Sequence, residues 1–385
     1  MSGEQSTTPT SFRTAADDIP YLVERIEAIH PDPWHAVSEV DFKEAASRLE
    51  ERIDGLTPDE QLVELMRLTA LFGERDGHGG VFPLDPTHER ALHLYPIRLY
   101  EFSDGLYVVA AVDHPELVGA RVDAIGGRPV EEVMDAVRPL VPADNEMSRK
   151  ARLPQYMVVA EVLRGLGITS SEFELDGRTV TLDPITAEAY ADAFPDLFRP
   201  QVPQGLPRRT EPPYLARRLR DRWVARLPGA VYGAYNVTLG DTTAFADILT
   251  RREREVVIVD VRHNPGGENS TYSPLLEALR GREVTLLIGR TTYSAAANFI
   301  TELEQTADVT FVGEPSGGAP NLYGDPVPVA LPATGLTVQV ASLYWMKSAP
   351  DDPRLAIEPD VRVELSSEDF FAGRDPVLAA ALDRL

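Results

Sequence analysis

Three apolar runs between residues 256 and 324, each ending in a turn, constrain this chain more than any other stretch. Residues 256–259 (VVIV) are continuous and β-branched, as in a strand buried on both faces. Residues 285–288 (TLLI) repeat that pattern, and residues 308–312 (DVTFV) form a third run. A run of good helix formers follows the second strand at residues 295–300. The order of elements predicts an α/β fold.

Two of the turns carry residues that suit acyl chemistry. Gly266 and Gly267 follow the first strand, and a glycine pair lets backbone N–H groups approach a ligand closely. Ser294 stands at the predicted start of the helix, where the dipole favours negative charge. Ser294 would then be a nucleophile, with an oxyanion hole formed by the N–H groups of Gly266, Gly267 and Ala295. The alternative is a helix N-cap and a simple turn.

In this order the motifs resemble the catalytic core of the tail-specific (carboxyl-terminal-processing) serine peptidase family. That family includes the tricorn protease core and interphotoreceptor retinoid-binding protein. The matching motifs are DVRHNPGG at residues 260–267, Ser294-Ala295, and GEPSGG at residues 313–318. The resemblance is good over residues 232–385 and weaker over the whole chain. It implies an α/β fold with a crotonase/ClpP-like core of ββα units, and a reaction that needs no cofactor.

The residue that could act as general base differs from that of one branch of the family. Carboxyl-terminal-processing members have a lysine at a place that falls near Ala319 here, and the only lysine beyond Ser294 is Lys347. We therefore expect no Ser–Lys pair. The resemblance to the tricorn-like branch implies a histidine instead. If that histidine is not the base, His263 and Lys347 are the next candidates.

That histidine is His78, in the glycine-rich turn at residues 73–80. The turn resembles the D-G-H-[TS] element of tricorn-like relatives, except that Gly79 replaces the Thr or Ser. Histidine has a suitable pKa to deprotonate a serine near neutral pH and then to protonate the leaving amine.

The third catalytic residue is implied by position alone. Relatives carry an acid shortly before a G-V-x-P-D element, which corresponds to residues 356–360 here. Counting back gives Asp352, with Glu358 as the alternative, and either would orient the histidine. The PNLYGD sequence at residues 320–325 resembles a loop of bacterial relatives, so Asn321 or Asp325 borders the site or shapes the loop.

The rest of the chain predicts accessory parts. Apolar stripes predict helices in residues 19–72. Residues 117–130 resemble the second half of a PDZ module, either a sensor of peptide tails or a degenerate spacer. Further predictions are helices at 156–166 and 366–385, and hairpins at 92–112 and 172–182. The predicted division is a disordered tail (1–14), a helical subdomain ending in the His78 turn (15–80), strands with the PDZ-like segment (81–150), a connecting hairpin and Pro/Arg-rich linker (151–225) and a peptidase core (226–385).

Composition excludes several classes of function. The net charge is −24, which argues against nucleic acid or an anionic membrane as a partner. Cysteine is absent, and the seven histidines do not show metal-ligand spacing, so we expect no metal. No run reaches the roughly 18 apolar residues that span a bilayer. The N-terminal residues lack a basic-then-apolar pattern, so we expect a cytoplasmic protein, with export by another route left open.

Together these features predict a serine peptidase that hydrolyses peptide or protein substrates through a Ser294 acyl-enzyme, with His78 as the base. The first alternative is a non-catalytic protein that binds a ligand or a peptide on the same fold. A second alternative is a crotonase-type acyl-CoA enzyme, which uses a similar pair of backbone N–H groups. Homo-oligomerisation stays open.

Overall fold

The structure is a computed structural model. It describes residues 14–194, 216–219, 222–227, 230–235, 242–251 and 256–384. The predicted tail, apart from Thr14, and residues 195–215 of the predicted linker lie outside these ranges. Among the described residues no helix is both long and apolar enough to cross a membrane.

Helices form the N-terminal region, as the apolar stripes predict. They are α1 (Ala15–Ile29), α2 (Glu39–Glu50) and α3 (Pro58–Phe72). Their caps fix where they begin. Ser38 accepts a hydrogen bond from the Asp41 N–H before α2, and Thr57 and Glu60 form a capping box before α3. The apolar faces of these helices are buried against one another and against the strands that follow.

Short elements fill the next part of the chain. They are β1 (His93–Leu94), β2 (Ile97–Phe102), β3 (Gly105–Ala111), β4 (Val122–Ile125), β5 (Arg128–Pro129), α4 (Val130–Val137), α5 (Glu146–Tyr156), α6 (Ala160–Gly165), β6 (Glu172–Leu175), β7 (Arg178–Thr181), β8 (Ile185–Thr186) and α7 (Ala187–Ala193). The predicted hairpins are confirmed as β2–β3 and β6–β7. Strands β4 to β7 form a sheet in the order β5-β4-β6-β7, and its correspondence to a PDZ module stays a prediction.

The predicted helix at residues 156–166 has the wrong bounds. An Asn145–Ser148 capping box begins α5 ten residues earlier, and α5 ends at Tyr156. Val159 has extended backbone angles and separates α5 from α6.

The C-terminal part contains the main sheet. Its elements are β9 (Ala216–Leu219), β10 (Arg222–Leu227), β11 (Ala230–Tyr235), α8 (Thr243–Thr250), β12 (Val256–Asp260), α9 (Ser273–Leu279), β13 (Glu283–Ile288), α10 (Ala295–Glu304), β14 (Asp308–Gly313), β15 (Asn321–Ala330), β16 (Thr337–Met346), β17 (Val361–Arg362), α11 (Ser367–Phe371) and α12 (Pro376–Leu382). The strand order is β17-β14-β13-β12-β11-β10-β9, and the strands from β17 to β11 are parallel.

Helices cover both faces of this sheet, which confirms the α/β class. Val257 and Val259 pack with buried side chains of α8, α9 and α10. Ile258, between them, faces the opposite side and packs with α12. This alternation explains why the strand sequences are apolar throughout. The described core alternates one strand with one helix from β11 to β14, so the ββα comparison stays a prediction.

The hairpin β15–β16 leaves the main sheet and returns to the N-terminal region. Val329, Val338 and Val340 belong to the same buried cluster as the apolar faces of α1 to α3. Gly80 and Gln339 exchange backbone hydrogen bonds of 2.8 and 2.9 Å. The prediction that residues 320–325 form a loop is therefore wrong from residue 321 onward, because backbone pairing with residues 343–346 makes this stretch part of strand β15.

The prediction of a single C-terminal helix at residues 366–385 is also wrong. The structure has two helices there, α11 and α12, separated by Gly373 with φ 67°. A helix cannot continue through a residue in the left-handed region. Ser366 caps the first of the two helices, as predicted.

Candidate active site

Ser294 occupies a strained position between strand β13 and helix α10. Its backbone angles are φ 53° and ψ −127°, outside the regions that non-glycine residues favour, which costs about 1–3 kcal/mol. Its side chain makes no capping hydrogen bond to the helix, unlike an ordinary N-cap serine. Ser294 Oγ lies instead 3.0 Å from His78 Nε2.

The turn after helix α3 places His78 there. Asp76 is completely buried, and its Oδ1 accepts the His78 backbone N–H at 3.0 Å. The other oxygen, Oδ2, lies 3.2 Å from Nε2 of the buried His30. Asp76 therefore ties the turn to the end of α1.

Gly79 fits a space too small for a side chain. A Cβ atom there would lie 2.5 Å from the Phe72 ring and 2.7 Å from Asp76 Oδ2. The hydroxyl residue that relatives carry next to the histidine has no room in this turn. A glycine at position 79, where relatives carry Thr or Ser, therefore fits the local packing.

The second ring nitrogen of His78 contacts a tyrosine. Tyr293 Oη lies 2.9 Å from His78 Nδ1, and the two rings stack with centroids 4.8 Å apart. Tyr293 Oη also donates to Asp144 Oδ1 at 3.3 Å. The Arg152 guanidinium lies over the Tyr293 ring, 4.6 Å from its centroid. The contacts therefore continue from Ser294 through His78 and Tyr293 to Asp144.

Burial sets the charge states of these groups. It lowers the pKa of His78 to about 4, with Asp76 opposing the shift and Arg152 adding to it. Burial also raises the pKa of Asp144 to about 7, with hydrogen bonding from the Gly77 N–H opposing the shift. Burial holds the pKa of Tyr293 well above its usual value. At neutral pH, therefore, His78 is an uncharged imidazole and Tyr293 keeps its proton.

The glycine pair lies directly against Ser294. Gly266 has φ 104°, and a Cβ atom there would lie 2.5 Å from Ser294 Cβ and 3.0 Å from Ala295 N. Its own N–H donates to Oδ1 of the buried Asn264 at 3.0 Å. The expectation that Gly266 donates to an oxyanion is therefore corrected, because that N–H already has an acceptor. Gly266 instead allows the close approach of two backbones.

Two of the expected oxyanion donors remain. Gly267 is exposed, with φ 145°. Ala295 is the first residue of α10, where an N–H has no acceptor within the helix.

The Asp-Val-Arg sequence at residues 260–262 is structural. Arg262 forms hydrogen bonds to both carboxylate oxygens of Asp260 and of Asp375, over 2.7 to 3.0 Å. Tyr232 Oη also donates to Asp260, at 2.6 Å. This network fixes the end of β12 from which the glycine pair projects.

The structure does not place Asp352 on His78. Its carboxylate accepts hydrogen bonds from Arg354 and Ser348, and Arg354 also binds Glu304. Glu358 is exposed and lines a surface cleft. The prediction that either acid orients His78 is therefore wrong, because the second nitrogen of the ring bonds Tyr293 instead.

The other predicted site residues have local partners. Asn321 accepts from the N–H groups of Lys347 and Ser348 and donates to the Ala349 carbonyl, so it shapes the end of the hairpin. Asp325, with φ 52°, accepts a hydrogen bond from Trp345 Nε1 at 2.5 Å and also raises the pKa of His78.

The two alternative bases are not placed on Ser294 either. Lys347 forms an ion pair with Glu302, and His263 is an exposed residue of the turn after β12. His78 is the base candidate that contacts the serine hydroxyl.

Tyr293 and Asp144 were not identified from the sequence. Tyr293 had one signal, its place immediately before the candidate nucleophile. Asp144 had none, since it lies in a distant segment without a motif. Among the described residues no group of His, Cys, Asp and Glu is arranged to hold a metal ion.

Comparison with solved structures, but not with protein families or curated proteins, supports the fold. No protein-family model and no curated protein matches the chain. Mature CPAF complexed with lactacystin is similar, with 14% identity, a TM-score of 0.66 and coverage of 96% of this chain and 97% of that one. Mature CPAF alone gives 14% identity, a TM-score of 0.67 and coverage of 96% and 95%. The photosystem II D1 C-terminal processing protease matches at 13% identity over 93% and 94% of the two chains, with a TM-score of 0.42.

The neighbours define a class of fold. The two CPAF structures, with TM-scores of 0.66 and 0.67, support at the level of the fold the resemblance predicted from the motifs. At these identities the likeness concerns the fold alone. The protein has the fold of CPAF over nearly its whole length, and this fold brings Ser294 and His78 into contact.

Proposed function

We propose that the protein is a serine peptidase that cleaves peptide or protein substrates through an acyl-enzyme on Ser294. The contact of 3.0 Å between Ser294 Oγ and His78 Nε2 is the observation that carries this proposal. A hydroxyl and an imidazole at this distance, on a fold shared with peptidases, form the pair needed to activate a serine. Ser294 also has the strained backbone that is often found at catalytic residues.

In the first half of the reaction, His78 Nε2 takes the proton from Ser294 Oγ as the oxygen attacks the substrate carbonyl carbon. The resulting imidazolium then protonates the leaving amine as the C–N bond breaks. In the second half, His78 takes a proton from water, whose oxygen attacks the acyl carbon. The Ser294 oxygen leaves with that proton, and the product is a carboxylic acid. Burial keeps His78 in its unprotonated form at neutral pH, the form that the first proton transfer requires.

We assign the oxyanion hole to the N–H groups of Gly267 and Ala295. A donor of this kind contributes about 100- to 1,000-fold to the rate. Gly266 has the different role of bringing the turn against Ser294, because its own N–H binds Asn264. The positive end of α10 adds to the stabilisation of the oxyanion.

The test is labelling with a fluorophosphonate, which reacts with activated serines, followed by mass spectrometry of the modified peptide. We expect modification at Ser294 in the wild type, none in Ser294→Ala, and a large loss of labelling in His78→Ala. Ser270→Ala is the control, since Ser270 is an exposed serine near the glycine turn. Folding of each variant is checked by circular dichroism.

Two results would contradict the proposal. A folded wild type that is not labelled would leave a binding protein on a peptidase fold. Labelling at Ser294 that persists in His78→Ala would retain the nucleophile but assign the base to another group. If neither result is obtained, cleavage of a fluorogenic peptide library by the wild type identifies the class of substrate.

A further inference from the structure

We propose that Tyr293 and Asp144 are the positioning residues for His78, in the order Ser294–His78–Tyr293–Asp144. Tyr293 takes the place next to the histidine that an acid occupies in a Ser-His-Asp triad, and Asp144 supplies the negative charge one residue further on. This inference rests on the proposed function, because it concerns how the base of that reaction is held and stabilised.

The hydrogen bonds of Tyr293 select the histidine tautomer. A tyrosine hydroxyl has one proton, and Tyr293 donates it to Asp144 Oδ1. Its oxygen can then only accept at the contact of 2.9 Å with His78 Nδ1. While Asp144 is ionised, this pattern places the ring proton on Nδ1, which leaves the lone pair of Nε2 facing Ser294 Oγ. That is the tautomer a general base needs.

Packing allows this arrangement at one glycine. A Cβ atom on Gly77 would lie 2.4 Å from Tyr293 Oη, 2.8 Å from an Arg152 nitrogen and 3.1 Å from Asp144 N. The Gly77 N–H donates to Asp144 Oδ1 at 2.7 Å. Gly77 thus makes room for the Tyr293 hydroxyl and also holds Asp144, the acid that this hydroxyl binds.

Asp144 is poised to stabilise a positive charge on His78. It is 1% exposed, and among the described residues no group forms a well-aligned hydrogen bond with its Oδ2. The charged groups that face it are Asp76 and Arg152, and the Gly77 and Ala319 N–H groups also lie against it. An under-satisfied buried carboxylate gains most when a cation forms nearby. The imidazolium of His78 is such a cation, one hydroxyl group away.

The other acids near His78 form hydrogen bonds with groups other than its ring nitrogens. Asp76 accepts the His78 backbone N–H and contacts His30, so it holds the turn and leaves the ring nitrogens alone. Asp325 accepts from Trp345 Nε1. Tyr293 keeps its proton throughout, because burial holds its pKa well above the usual value. The chain therefore orients the ring and stabilises its charge without passing a proton to Asp144.

The test compares Tyr293→Phe and Asp144→Asn with the wild type. Phenylalanine keeps the stacking on His78 and the Arg152 guanidinium over the ring, but removes the hydroxyl and its hydrogen bond with Arg152. Asparagine keeps an oxygen that can accept from Tyr293 but removes the charge. The control is Tyr190→Phe, which removes a buried hydroxyl that donates to the Ile97 carbonyl. The readout is the rate of fluorophosphonate labelling of Ser294 from pH 5 to 9.

We expect Tyr293→Phe to slow labelling at pH 8 by about 10- to 100-fold, part of the usual contribution of a general base. The wild-type rate should rise with pH through about 7, as Asp144 ionises. Asp144→Asn should remove that rise and keep the rate low at all pH values. Tyr190→Phe should match the wild type in rate and profile.

The outcomes separate this inference from the proposed function. If the wild type is not labelled, the proposed function itself fails. If labelling depends on His78 but Tyr293→Phe and Asp144→Asn keep the wild-type rate and pH profile, the positioning role is overturned while the peptidase stands. If Asp144→Asn does not fold, Tyr293→Phe decides alone, because it preserves the buried ring.

Discussion

The two sides of the Ser294–His78 contact are built in different ways. The serine side is one continuous stretch, in which strand β13, a turn and helix α10 follow each other directly. The histidine side is assembled from the turn after α3, the segment before α5 and Tyr293, which are far apart in sequence. The position of Ser294 is therefore set by local backbone geometry, whereas that of His78 is set by packing between distant segments.

The largest expected effect tests the serine side. Gly266→Ala adds a Cβ atom 2.5 Å from Ser294 Cβ at a φ of 104°, so the glycine turn must move away from the nucleophile. We expect labelling and peptide cleavage to fall by about 100- to 1,000-fold, the value of an oxyanion donor. Gly281→Ala is the matched control, with φ 68° and no atom within 4 Å of the added carbon. Equal loss in both variants would attribute the effect to backbone strain alone.

Gly77→Ala tests the histidine side in the same way. The added Cβ atom would lie 2.4 Å from Tyr293 Oη, which displaces the tyrosine from His78. A displacement of about 1 Å reduces catalysis by about 100-fold. Gly55→Ala, where the added atom meets nothing within 4 Å, is the control. Unchanged peptide cleavage in Gly77→Ala would show that the base tolerates a looser packing than the structure implies.

Asp18→Asn tests the junction between helix α1 and the β15–β16 hairpin. Asp18 is completely buried in α1 and accepts hydrogen bonds from the Ala333 and Thr334 N–H groups at the tip of the β15–β16 hairpin. Replacing a charged acceptor in two such bonds should lower the free energy of unfolding by about 1.5–3 kcal/mol. Urea denaturation measures it, with Asp135→Asn, on the partly exposed face of α4, as the control. No difference between the variants would mean that this junction adds little to stability.

The smallest effect is expected at Asp352. Its carboxylate binds Arg354 and Ser348, and hydrogen bonding from Arg354 holds its pKa well below the usual value. Asp352→Asn should leave the labelling rate within about twofold of the wild type, since a substitution away from the site changes free energies by less than about 0.5 kcal/mol. A loss of about 100-fold would restore Asp352 as the third catalytic residue.

The sequence predicted the parts that depend on neighbouring residues. The buried strand at residues 256–259, the helix after Ser294 and the capped helices before His78 follow from periodicity and capping. The pairing of Ser294 with His78 came from a family resemblance, since nothing in the spacing of the two residues predicts their contact. Sequence spacing could not indicate the proposed positioning residues, because Asp144 and Tyr293 meet only through packing. For the same reason, counting back from residues 356–360 gave Asp352.

The path of the β15–β16 hairpin has a consequence for synthesis of the chain. The buried cluster that holds the N-terminal helices also needs Val329, Val338 and Val340, which leave the ribosome long after His78. Until then the N-terminal helices lack part of their core, and domains fold as their residues emerge. Gly80, at the end of the His78 turn, exchanges backbone hydrogen bonds with Gln339, so the turn lacks these bonds until residue 339 has been made. A nascent chain therefore cannot assemble the Ser294–His78 pair until most of the protein has been made.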